Sequence, residues 1–88
     1  MSQHNSFLYV DLGVEVIELS PTEWRVSDAR RPDYGDGLSL IGFIQQTEAG
    51  FETTELGAPR RRNRFPTFPE ALTTLSQRRR PNVAGPTA

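Results

Sequence analysis

Leu38-Ser39-Leu40-Ile41-Gly42-Phe43-Ile44 reads as the central strand of this chain. It is a short, nearly continuous apolar run bounded by a Gly-containing loop before it and a turn after it. Gln45-Gln46-Thr47-Glu48-Ala49-Gly50 ends the run, and Gly50 supplies a position open to positive φ. Phe51 to Leu56 returns as a second strand, with Phe51, Thr53 and Glu55 on one face and Glu52, Thr54 and Leu56 on the other. Alternation in the central strand sends Leu40 and Ile44 one way and Ile41 and Phe43 the other. Gly42 marks a bulge or a close approach of backbone. A strand apolar on both faces needs cover on both.

Toward the C-terminus, Gly57-Ala58-Pro59 closes the hairpin, and Arg60-Arg61-Arg62-Asn63-Arg64 reads as an Arg-rich loop. Thr67-Phe68-Pro69-Glu70 is a capping-box pattern. The Thr67 hydroxyl is placed to accept from the Glu70 N–H, and Pro69 suits a first turn whose donors have no helical acceptor. Phe68, Ala71, Leu72 and Leu75 then fall at i, i+3, i+4 and i+7, a single apolar stripe. The helix is expected from Thr67 to about Arg79, with Pro81 as its stop.

Toward the N-terminus, Glu23–Asp28 alternates, Trp24 and Val26 on one face against Arg25 and Ser27 on the other. Trp24 is expected to be a core anchor, since aromatic side chains bury the most area per residue. Val14–Leu19 is rich in β-branched residues and reads as a strand joined through the Ser20-Pro21-Thr22 turn. Ala29–Gly37 is a polar loop. Its Asp33 and Asp36, with Asp28, lack the spacing and closing Glu of a helix–loop–helix calcium site. Gly35 and Gly37 lack the Lys-Ser/Thr pair of a phosphate loop. Phe7, Leu8, Tyr9 and Val10 are apolar without alternation, so Ser6–Val10 is either a short strand or an arm lying on the sheet.

These pieces predict a small two-layer α+β domain, an antiparallel sheet of three to four strands with one C-terminal helix packed on one face. Residues 1–13 are expected to form a partly disordered arm, 14–80 the folded domain, and 81–88 a disordered tail. The outline resembles the arm-binding domains of phage integrases and the plant ethylene-response type of DNA-binding domain. The shared feature is a Gly-punctuated hairpin followed by an aromatic near a capped helix, here Phe65 to Leu72. That resemblance implies DNA reading by basic and aromatic side chains on the sheet. The corresponding strands here carry Glu52 and Glu55 instead, with no Arg between Arg31 and Arg60, so membership does not follow.

The chain has 88 residues and no Cys, so neither a disulfide nor a thiolate-bound metal can staple it. Chains of this size bury only about 60% of the surface they expose when unfolded, so the stability margin is thin. No segment has the length or apolarity of a membrane span or the pattern of a signal peptide, and a cytoplasmic location is the expectation. Charge is unevenly spread. Residues 1–58 hold ten acidic residues and three Arg; residues 59–88 hold seven Arg and one Glu.

Nucleophilic catalysis needs a base beside a Ser or Cys. The chain has no Cys or Lys, and its single His4 lies in a polar terminal segment. Glu15 and Glu18, and likewise Glu52 and Glu55, are three apart on strands and face opposite ways. No catalytic, cofactor or metal-ligating set emerges, and a non-enzymatic interaction or regulatory module is expected, as a homodimer or a small complex subunit. Phe7, Tyr9, Ile41 and Phe43 are its candidate interface. The alternative is nucleic-acid binding through Arg60, Arg61, Arg62, Arg64, Arg78, Arg79 and Arg80, because Arg pairs bidentately with phosphate. A third arrangement would set the acidic half of one copy against the basic half of another and would weaken in salt.

Overall fold

The computed structural model describes residues 5–30, 39–56 and 61–77. The described residues form β1 (Ser6–Tyr9), β2 (Val14–Ser20), β3 (Glu23–Asp28), β4 (Leu40–Thr47), β5 (Gly50–Glu55), β6 (Arg61–Phe65) and α1 (Phe68–Gln77). The six strands form one sheet in the order β1-β2-β3-β4-β5-β6, every neighbour antiparallel. The α+β class with a C-terminal helix is as expected, but the sheet has six strands rather than three to four. The two additions are its edges. Ser6–Tyr9 joins the sheet beside β2, and the Arg-rich segment read as a loop is strand β6.

Why Arg61–Phe65 is extended is visible across the β5–β6 ladder. Phe65 stands opposite Phe51, Arg64 opposite Glu52 and Arg61 opposite Glu55. Aromatic and opposite-charge pairs on neighbouring strands each stabilise a sheet modestly. The Thr53 hydroxyl also donates to the Asn63 carbonyl at 3.4 Å.

One face of the sheet carries the core. Val14, Val16, Val26 and Ile44 are buried there with Ala71, Leu72 and Leu75 of α1. Full burial of each leucine contributes about 2 kcal/mol. The helix lies over β4, β5 and β6. Its start is pinned by three rings. Trp24 and Phe68 have centroids 5.0 Å apart, Phe51 and Phe68 5.9 Å, and Trp24 and Phe51 6.1 Å. Trp24 therefore works as a half-buried anchor joining the middle of the sheet to the first turn of α1. The cap forms as the sequence predicts at its backbone bond, with Glu70 N–H donating to Thr67 Oγ1 at 3.3 Å. The Glu70 carboxylate accepts from the same hydroxyl at 3.2 Å.

The central strand departs from simple alternation. Val26 pairs with Gly42 while Ser27 pairs with Leu40, so Ile41 is the extra residue of a β-bulge. The bulge turns Ile41 inward, where it is 5% exposed in the same core as Ile44. Gly42 faces the helix. A Cβ built there would lie 2.3 Å from the Thr54 carbonyl oxygen and 3.2 Å from Leu75 Cδ1, so only glycine lets β4 run this close to its neighbours.

Candidate functional site

The register sorts the exposed residues into an open face and two edges. On the face away from the helix, Ile17, Arg25, Phe43, Thr54 and Arg62 stand in one row across β2 to β6. The first four are half-buried and Arg62 is exposed. Arg25 Nε is buried and has no hydrogen-bond partner among the described residues. The long stem of an Arg in such a row covers apolar neighbours while its charge reaches outward. Phe43 thus keeps the face expected for it, but half-buried, and Ile41 leaves the surface for the core. Those two residues do not form an exposed pair.

The expected arm does not lie across this face either. It is edge strand β1, with Phe7 and Tyr9 on the helix side and Leu8 on the open side. All four residues of β1 are exposed, with Phe7 at 48%, Leu8 at 63% and Tyr9 at 37%, and Val10 beyond them reaches 76%. A solvent-open cleft of about 430 Å³ lined by Tyr9, Val10, Asp11 and Leu12 continues from the strand end.

The carboxylates of Glu15 and Glu18 on β2 reach across toward this edge. Ser6 Oγ donates to Glu15 Oε2 at 2.7 Å, and Asn5 Nδ2 donates to Glu18 Oε1 at 2.8 Å. β1 itself carries no charged side chain, and the exposed Asp11 follows two residues after it. Glu15 lies on the open face and Glu18 on the helix face, so they do not converge.

Backbone geometry completes the picture of this edge. Glu18 N–H donates to the Asn5 carbonyl at 2.8 Å. Opposed residues of an antiparallel ladder alternate between bonded and non-bonded pairs. With Asn5 bonded inward to Glu18, Phe7 and Tyr9 also bond inward to β2. Ser6 and Leu8 consequently turn their N–H and C=O groups away from the sheet, toward open solvent.

The opposite edge has another character. Arg61, Arg62, Asn63 and Arg64 of β6 are all exposed. Arg62 and Arg64 share the open face, and Arg61 lies on the helix face. The loop cluster expected to act together is thus split between the two sides of one strand. Arg60, Arg78, Arg79 and Arg80 lie outside the described residues, as do His4 and the segments 31–38 and 81–88. A shallow cleft between Phe65, Pro69, Glu70, Thr73 and Thr74 accompanies this edge, with Glu70 the one titratable side chain among its described lining residues.

Among the described residues, no group of three His, Cys, Asp or Glu is placed to hold a metal ion, and no helix is long and apolar enough to cross a membrane. Sequence reasoning named Phe7 and Tyr9 but passed over Leu8 and Val10, the two most exposed apolar residues of the edge. The signal was their continuous apolar run, which a strand packed on one face does not show. No family model, curated protein or solved structure matches the chain.

Proposed function

We propose that this protein is a small non-enzymatic interaction module that engages a protein partner by strand addition at β1. The observation that carries the reading is the exposed edge strand from Ser6 through Tyr9, free of charged side chains and followed by the exposed Val10, with the backbone groups of Ser6 and Leu8 directed outward. An open sheet edge is a template for another strand. Main-chain bonds supply affinity in such additions, and alternate side chains supply selectivity. Monomeric soluble proteins rarely keep an apolar patch of more than a few hundred Å² without using it.

The nucleic-acid reading has its own observation, the three exposed Arg of β6. It is the weaker reading because Glu52 and Glu55 stand directly across from Arg64 and Arg61, and Arg61 projects from the other face.

The test uses wild type and Leu8→Lys side by side. Each is used as bait in an extract of the source cells, and each is titrated with a labelled mixed-sequence duplex and an RNA of similar length at low and moderate salt. A stoichiometric protein partner, another copy included, that binds wild type and is lost with Leu8→Lys is the expected result. Indifference to Leu8→Lys, together with steep salt-dependent nucleic-acid binding that Arg62→Ala/Arg64→Ala removes, would overturn it in favour of the alternative.

A further inference from the structure

We infer that the strand received by β1 is β1 of a second copy, paired antiparallel about a two-fold axis so that two six-stranded sheets become one. This deepens the interaction reading and rests on it.

Three pairings of free edges are available to two copies. Joining β6 to β6 would set Arg61, Arg62 and Arg64 against their own counterparts, and like charges opposite one another destabilise a sheet. Joining β1 to β6 is head-to-tail, leaves a free edge of each kind at the ends and propagates without closing. Joining β1 to β1 brings no charged side chain of either edge strand together and closes after two copies. Glu15 and Glu18 belong to the neighbouring strand, and their carboxylates accept from Ser6 and Asn5.

The outward groups also select a register. Placing Ser6 opposite Leu8 of the second copy, and Leu8 opposite its Ser6, pairs all four outward N–H and C=O groups of each strand. Phe7 then meets its own counterpart on the axis as a non-bonded pair, the type in which Cα atoms come within about 4.5 Å and side chains are closest. Shifting the register to centre on Leu8 would instead direct Ser6 to Val10, whose carbonyl already accepts from Gly13 N–H at 3.1 Å.

A contact between two four-residue strands lies near or below the roughly 1,000 Å² that marks the lower limit of a specific interface. The dimer is accordingly weak, dissociating at about micromolar concentration.

The chain has no Cys, so a single introduced thiol reports the contact without ambiguity. Phe7→Cys, oxidised under mild conditions at a concentration where wild type is dimeric by sedimentation equilibrium, is expected to give a covalent dimer in high yield. Cα atoms about 4.5 Å apart are within disulfide reach. Leu8→Cys is expected to cross-link at least tenfold more slowly, because it faces Ser6 of the second copy. Leu8→Pro removes only an outward donor from an edge strand, a change edges tolerate. It is expected to raise the dissociation constant at least tenfold while leaving the circular dichroism spectrum unchanged, and Leu8→Lys should do the same. The dimer mass is expected to be indifferent to salt.

Faster cross-linking of Leu8→Cys would overturn the register. A strictly monomeric wild type would overturn the second copy as occupant, yet leave the interaction reading standing if a different protein is lost with Leu8→Lys. Association that dissolves with rising salt would overturn the β1 pairing and point to the head-to-tail arrangement.

Discussion

The two edges of the sheet are built from opposite materials. β6 is lined with Arg and faces Glu52 and Glu55 on its neighbour, whereas β1 carries no charged side chain, and Asn5 and Ser6 beside and on it donate to Glu18 and Glu15 of β2. Among the described residues, each edge strand has a neighbouring strand on one side only. Only the charged one is protected in the way natural sheets protect their edges, by side chains that forbid a second strand from approaching. The difference teaches that edge chemistry, rather than edge geometry, decides where this fold can be extended. It also gives the uneven charge of the chain a structural meaning, since three of the five described Arg residues stand on the last strand.

The largest expected effect comes from erasing that difference. Arg61→Thr/Arg62→Val/Arg64→Val gives β6 the character of β1, and each molecule then has two permissive edges. Open-ended growth is the expected outcome, read as scattering that rises with time and concentration. A soluble, non-growing triple variant would mean that the Arg side chains are not what blocks the edge.

Next in size is Gly50→Ala at the hinge between β4 and β5. Gly50 has φ +132°, and a Cβ there would lie 2.5 Å from the Phe65 carbonyl oxygen, so the substitution strains the backbone and pushes β6 off β5. A loss of about 3 kcal/mol in a denaturant titration is expected.

Thr67→Ala removes the hydroxyl that accepts from Glu70 N–H where α1 begins beside β6, and should cost about 1 kcal/mol by the same measurement. Smallest is the pairing that steadies the charged edge. A double-mutant cycle on Glu52 and Arg64, both to Ala, should give a coupling of about 0.5 kcal/mol that shrinks in salt, as befits an exposed pair.

The middle of the fold was legible in the sequence and its margins were not. β2, β3, β4, β5 and α1 announce themselves through β-branched content, alternation, a glycine at a turn and a capping box, all of them local signals. β6 has no such signal, because an edge strand needs little apolar content of its own. Its extended form depends on Phe51, Glu52 and Glu55 across the ladder, which are six to fourteen residues earlier in the chain than their partners. β1 is ambiguous for the opposite reason: its run from Phe7 to Val10 is apolar at every position, so no period distinguishes a strand from a wrapping arm.

Ile41 was misplaced by a single inserted residue. One bulge shifts the side-chain alternation, and the sequence around Gly42 permits either phase. The candidate interface was accordingly half readable. Its β1 residues Phe7 and Tyr9 are exposed, while Ile41 is in the core and Phe43 is half-buried beside Arg25.

Amide hydrogen exchange followed by NMR at a series of protein concentrations measures the two edges in one experiment. With β1 as the receiving edge, protection of the Ser6 and Leu8 amides rises with concentration while the solvent-facing amides of β6 exchange freely throughout. Concentration-dependent protection on β6, with Ser6 and Leu8 unchanged, would contradict the account.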